Sequence, residues 1–106
     1  MLHADKIEKF MLAPNKPKWC KPREVAIIVY LMILADKEGH CSPKQEDIAA
    51  AIGSGDVNLF GIREGIKRLK DNSWLTVDKK ITTLPYRYRI KFENLPGKEE
   101  IEQTAP

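Results

Sequence analysis

Apolar residues recur at helical spacing in three stretches of the chain. The first stretch opens at Pro22, which suits a helix start because its missing N–H would have no partner there anyway. Residues 25–35 follow without a helix breaker, and their apolar side chains occupy more than one helix face. The pattern predicts a central core helix in a segment that ends at Gly39.

The second stretch carries a signal for the start of a helix. Ser42 supplies a hydroxyl cap, Pro43 lies in the first turn, and Gln45 could return the capping hydrogen bond. We expect this helix to run to Ile52, with Ile48 on its apolar face.

The third stretch follows a cluster of turn-forming residues at positions 53–56. Its apolar stripe recurs at helical spacing and predicts a third helix, capped by Asn58. The stripe consists of Leu59, Ile62, Ile66 and Leu69, and the outward face includes Phe60, Arg63, Lys67 and Lys70.

Beyond Asn72 the hydrophobic period changes to two, which is typical of strands. Leu75 and Val77 alternate with polar residues. A second alternation places Tyr86, Tyr88, Ile90 and Phe92 against Arg87, Arg89 and Lys91. Residues 79–85 form a short connection, so an antiparallel hairpin is expected.

These elements predict one domain, residues 22–93, because the chain is too short for two cores. The expected class is α+β and mostly α, with a three-helix core and a C-terminal hairpin. Residues 1–21 mix charges and prolines and are expected to form an N-terminal arm, helical at most in part. Residues 94–106 have the composition of a flexible polar tail.

The residues SPKQEDIAAAIG at positions 42–53, preceded by KEG at 37–39, resemble the second helix of winged helix-turn-helix domains. Such domains occur in bacterial transcription regulators and in phage or plasmid replication proteins. IKRLKDNSWLTV at positions 66–77 is similar to the end of their recognition helix and the start of the wing. The resemblance covers residues 22–91 and implies binding of double-stranded DNA in transcription regulation or replication initiation.

Charge alters this interpretation only through its distribution. Lys and Arg number 18 against 15 Asp and Glu, a formal net charge of +3, so the mild excess alone does not indicate a polyanionic partner. The residues expected to contact DNA share the outward helix face or the hairpin, and Arg63 is placed for a contact to guanine. They are Asn58, Phe60, Arg63, Lys67, Lys70, Lys79, Lys80, Arg87 and Arg89.

Two alternatives accompany the DNA hypothesis. The cations could be ordinary solvated faces, and a basic arm of Lys16, Lys18, Lys21 and Arg23 could follow the DNA backbone or serve solubility alone. Phe60 is expected to fold back into the core. If it is exposed, a protein-protein interface through Leu59 and Phe60 becomes the better interpretation, and a homodimer is also compatible with the pattern.

Catalysis is not expected, because the chain has no glycine-rich phosphate loop, no GxSxG and no cluster with metal-ligand spacing. No cofactor is implied. Cys20 and Cys41 are expected to be free thiols rather than a disulfide. The run at residues 25–35 is shorter than the roughly 20 residues that cross a bilayer, so a cytoplasmic protein without membrane contact is expected.

Overall fold

The computed structural model describes residues 2–14, 16–53, 59–78 and 86–97. Within these ranges the fold is α+β and mostly helical, with four α-helices and a three-stranded antiparallel sheet, which confirms the expected class. In chain order the elements are α1 (Ala4–Leu12), α2 (Pro22–Leu34), β1 (His40–Cys41), α3 (Gln45–Ile52), α4 (Leu59–Asp71), β2 (Leu75–Asp78), β3 (Arg87–Ile90) and a 3-10 turn (Phe92–Asn94).

α2 runs through the core, as its apolar pattern predicts. Pro22 begins the helix, and Oε1 of Glu24 accepts a hydrogen bond from the backbone N–H of Lys21 at 3.3 Å, which closes the first turn. Ile27 and Ile28 are fully buried. The helix therefore contributes apolar surface to both the other helices and the sheet.

A turn after α2 leads into the first strand. The carboxylate of Asp36 accepts hydrogen bonds from the backbone N–H groups of Glu38 at 2.9 Å and His40 at 3.0 Å. Gly39 closes this turn at φ 88°, a left-handed conformation that favours glycine. The expected end of the segment at Gly39 thus corresponds to a turn, and α2 itself ends at Leu34.

α3 starts later than the sequence predicts. The N-cap is Lys44, and no side chain caps the helix, so the prediction of a Ser42 cap is wrong. The reason is the preceding strand. Because β1 pairs with β3 up to Cys41, the chain is still extended there and needs a short connection before α3 can begin. The predicted end at Ile52 is confirmed, with Gly53 following in the left-handed region.

α4 packs its aliphatic stripe inward, as predicted. Ile62, Ile66 and Leu69 are buried. Gly65 lies against α2 so closely that a Cβ at this position would overlap Cδ1 of Ile27. This close approach fixes α4 against the central helix and turns its opposite face outward.

The end of α4 feeds directly into the sheet. The backbone N–H of Trp74 donates to the carbonyl of Leu69, and that of Ser73 donates to the carbonyl of Lys70, both at 3.0 Å. This pair of hydrogen bonds is a Schellman motif, and Ser73 adopts the positive φ of 63° that the motif requires. Trp74 is thereby placed in the core at the start of β2.

The sheet has the strand order β1-β3-β2, with both pairings antiparallel. The predicted pairing of the last two strands is confirmed, and Tyr88 and Ile90 point inward while Arg87 and Arg89 point outward. The connection at residues 79–85 lies outside the described residues. β1 was not predicted, since two residues carry no readable period.

The first and last described segments also belong to the core. Residues 1–21 were expected to form an arm, whereas α1 buries Phe10, whose ring meets Trp74 edge-on at 5.6 Å. Nε2 of His3 lies 2.7 Å from the carbonyl oxygen of Asp36. The expected polar tail starts at Asn94, but Leu95 is buried. The apolar side chains near both ends of the described chain explain these differences, because packing onto the core removes their surface from water.

Candidate nucleic-acid interface

The outward face of α4 is the helical part of the predicted interface. Phe60, Arg63 and Lys67 are all exposed on it, opposite the buried aliphatic stripe. Lys70, expected on the same face, is half-buried and has an interaction partner. The helix therefore presents two exposed basic side chains from the predicted set, Arg63 and Lys67.

Arg63 is held by an uncharged partner. Its Nε donates a hydrogen bond to Oε1 of Gln45 on α3 at 2.9 Å. Gln45 also contacts Tyr88, and burial raises the pKa of that phenol while the hydrogen bond to Gln45 opposes the rise. Since no carboxylate pairs with Arg63 among the described residues, its full positive charge faces solvent.

Lys67 has a charged partner, Asp71, one helical turn away. Its Nζ lies 2.9 Å from Oδ2 of Asp71, and both side chains are exposed. An exposed pair at this spacing stabilises a helix by only about 0.3–0.5 kcal/mol, so an incoming phosphate can replace the carboxylate.

Another edge of α4 carries a charge network that the sequence did not reveal. Glu24 is fully buried, and its Oε2 accepts a hydrogen bond from Nε of Arg23 at 2.7 Å. Nη1 of Arg68 lies 3.5 Å from Oε1 of the same carboxylate, and Nη1 of Arg23 also reaches Glu64 at 3.7 Å. The positive charges on this edge are thus matched by carboxylates. The sequence signal for this network was Glu24, an acidic residue at the third position of α2.

Arg87 and Arg89 lie on a different surface. They line a groove of about 280 Å³ on the outward face of the sheet, with His40, Thr76, Val77 and Asp78. Arg63 is joined through Gln45 to Tyr88, which points to the opposite face of β3. The helix cations and the strand arginines therefore form two separate clusters within the set of residues that the sequence predicts to contact DNA.

Phe60 corrects another expectation. Its side chain is 67% exposed in the first turn of α4, so the expectation that it folds into the core is wrong. The aliphatic stripe already fills the space between α4 and α2, and Phe60 lies on the other side of the helix. Asn58, Lys79 and Lys80, the remaining predicted contacts, lie outside the described residues.

The predicted basic arm is partly occupied by structural contacts. Nζ of Lys16 donates hydrogen bonds to the carbonyls of Ala13 at 2.9 Å and Met11 at 3.2 Å, which caps the end of α1. Arg23 belongs to the Glu24 network. Lys18 and Lys21 are exposed. A continuous run of available cations along this segment is therefore not present in the described part.

Both cysteines are free, as expected. Burial raises the pKa of the Cys20 thiol to about 11 and that of Cys41 to about 12, which keeps them protonated at neutral pH. The described residues contain no group of three or more His, Cys, Asp or Glu arranged to hold a metal ion. Among the described helices, none combines the length and apolar character that a bilayer crossing needs.

Comparisons of the chain with protein-family models, with curated proteins and with solved structures found no match. The functional proposals therefore depend on the chain's own residues and their geometry.

Proposed function

We propose that residues 22–93 form a winged helix-turn-helix domain that binds double-stranded DNA, in transcription regulation or in replication initiation. The order of the elements supports this fold: a helix, a short strand, two helices and two strands, with the last strand between the other two. In such domains the helix before the hairpin enters the major groove. Here that helix is α4.

One observation carries the DNA proposal: α4 buries its aliphatic stripe and turns Arg63 and Lys67 toward solvent. The major groove is about 12 Å wide and admits a single helix. Lys67 would then lie against a phosphate that borders the groove, and Arg63 would face the base edges. Neither is held by a buried carboxylate, so Lys67 can exchange Asp71 for a phosphate at small cost, and the charge of Arg63 remains available to DNA.

Arg63 has a second part in this proposal. Because its Nε is engaged by Gln45, the side chain is oriented before DNA arrives, and its two Nη groups lie outside that hydrogen bond. Two parallel N–H donors are what the O6 and N7 acceptors of guanine require. Arg63 is therefore our choice for the residue that reads a base, and Lys67 for a phosphate contact.

The test is a titration of duplex DNA at several salt concentrations between 50 and 200 mM, with wild type and an Arg63→Ala Lys67→Ala variant. The slope of log K against log salt is negative, and each lost phosphate contact makes it shallower by about 0.9. We expect the wild type to bind with a steep salt dependence. The variant, which loses the Lys67 phosphate contact and the Arg63 base contact, should bind more weakly, with a slope shallower by about 0.9.

A Lys9→Ala Lys37→Ala variant is the matched control, because it removes the same net charge from two exposed side chains outside α4. It should retain most of the wild-type affinity. No binding by the wild type at low salt, or equal losses in the two double variants, would refute the proposal. Circular dichroism checks that both variants are folded.

A second candidate function follows from the exposure of Phe60, since an aromatic anchor is typical of protein-protein interfaces. In this candidate Phe60, with the half-buried Leu59, binds a protein partner or a second copy of the chain. Sedimentation velocity over a concentration series tests the homodimer: Phe60→Ser should abolish association, and Leu34→Ser, at another exposed apolar site, should not. A monomer at all concentrations excludes the homodimer.

A further inference from the structure

Three polar side chains form one row across the sheet. Arg89 on β3 pairs in register with His40 on β1 and with Thr76 on β2. Residues paired in this way point to the same face, and neighbouring strands are about 4.8 Å apart. The guanidinium of Arg89 therefore lies between the imidazole of His40 and the hydroxyl of Thr76, and all three groups can donate hydrogen bonds.

The two arginines of β3 differ in their surroundings. Arg87 pairs in register with Asp78 and lies near Asp36. The pKa of Asp36 is held below its usual range mainly by the hydrogen bond from the backbone N–H of His40, and Arg87 adds a smaller electrostatic contribution. Arg89 has no acid among its register partners, and within the described ranges no ion pair involves it. The carboxylate of Asp78 also lines the groove, so of the two arginines Arg89 is the one with no carboxylate directly beside it in the sheet.

The row opens onto the groove described above. Its volume of about 280 Å³ equals that of several water molecules, at about 30 Å³ each. Apart from Val77, the residues that line the groove are polar, and two arginines face one carboxylate, that of Asp78, so the charge of the lining favours an anion over an apolar ligand.

His40 has a ring nitrogen that lacks a partner. Nδ1 is shielded from solvent and makes no hydrogen bond to a described residue, and Oε2 of Glu38 lies 3.6 Å away. The other ring nitrogen, Nε2, is the one that can donate a hydrogen bond to an anion beside Arg89.

We propose that the row of His40, Arg89 and Thr76 binds one oxyanion group, a phosphate or a sulfate. Arg89 supplies the charge, and His40 and Thr76 supply flanking hydrogen bonds. The site lies on a different surface from Arg63 and Lys67, so this proposal does not depend on DNA binding through α4. The anion is either a free phosphate or one phosphate of a nucleic acid, because both present the same oxygens.

The first experiment titrates the full chain with sodium phosphate and with sodium sulfate at constant ionic strength, followed by amide chemical shifts. We expect saturable shifts at the three residues of the row, with a dissociation constant on the order of millimolar, the usual range for one weakly held ion. Arg89→Ala should weaken binding at least tenfold. Arg87→Ala, the matched control on the same strand, should change it less than threefold. Linear shifts, or equal losses in the two variants, would overturn the proposal.

A second experiment tests the part played by His40. His40→Ala removes the imidazole donor, so sulfate binding in the same titration should weaken by roughly two- to tenfold, the range expected for the loss of one hydrogen bond. Unchanged sulfate affinity in His40→Ala would contradict a role for His40.

A third experiment identifies the source of the anion. Duplex DNA is added to the wild type and to the Arg63→Ala Lys67→Ala variant while the amide signals of the row are followed. Shifts at His40, Thr76 and Arg89 in both proteins indicate a nucleic-acid phosphate. Saturation by free phosphate together with unchanged signals on addition of DNA indicates a small phosphate ligand. A row that binds neither refutes this inference and leaves DNA binding through α4 to its own test.

Discussion

The two edges of α4 use the same kinds of residue for opposite purposes. On the edge that faces the start of α2, Arg23 and Arg68 surround the fully buried carboxylate of Glu24. On the edge that faces α3, Arg63 meets the neutral amide of Gln45. One edge is an internal ion cluster, and the other presents an uncompensated positive charge to solvent.

The difference teaches that a count of cations on a helix does not locate a phosphate-binding face. Arg68 is 47% exposed at its side chain, yet its charge lies beside a carboxylate that has no access to water. Arg63 has the same chemistry, and its partner takes a hydrogen bond without cancelling the charge. The nature of the partner, rather than exposure, separates a structural arginine from one available to a ligand.

The largest expected effect comes from removing the carboxylate charge on the edge of α4 that contains Glu24, Arg23 and Arg68. Glu24→Gln removes the charge that both arginines contact and weakens two charge-assisted contacts, so the free energy of unfolding should fall by about 2 kcal/mol. Urea denaturation followed by circular dichroism measures it. Glu64→Gln is the control at an exposed position of the same cluster and should change stability by less than about 0.5 kcal/mol. Equal effects in the two variants would remove the distinction between the edges.

An intermediate effect is expected when Arg63, on the other edge of α4, is given a carboxylate partner. Gln45→Glu places a negative charge beside Arg63. This carboxylate repels an incoming phosphate and competes with DNA for Arg63, so DNA affinity should fall about tenfold, or about 1.4 kcal/mol. Fluorescence anisotropy with labelled duplex measures it. Lys37→Ala changes the net charge by the same amount at an exposed loop position and should have little effect. Unchanged affinity in Gln45→Glu would show that Arg63 does not contact DNA.

The smallest effect concerns Lys67. Asp71→Asn removes its exposed carboxylate partner, so we expect DNA affinity to rise two- to threefold, with a stability change below about 0.5 kcal/mol. Glu8→Gln makes the same charge change on the exposed face of α1 and is the control. If both variants gain affinity alike, the gain reflects net charge alone, and Lys67 has no special position.

Helix positions and burial were predictable because the apolar period is strong. Ile62, Ile66 and Leu69 recur at the spacing that buries one helix face, and the alternation around Tyr88 gave the pairing of the last two strands. The same periodicity placed Arg63 and Lys67 on the exposed face of α4.

Other features depend on contacts between residues distant in sequence. β1 has two residues, and its position follows only from pairing with β3, so neither the delayed start of α3 nor the row around Arg89 could be predicted. The burial of Phe10 depends on Trp74, far along the chain. The partners of each arginine likewise depend on how the helices pack, which no local pattern encodes.

The strand order has a consequence for synthesis on the ribosome. Among the strands in the described part of the chain, β3 is the central one and the last to be made, and β1 and β2 pair with it rather than with each other. These pairings cannot form until Arg87–Ile90 has left the exit tunnel. Until then the apolar faces of the nascent helices lack part of their cover, which makes this the interval in which chaperone contact or misassociation would act on the chain.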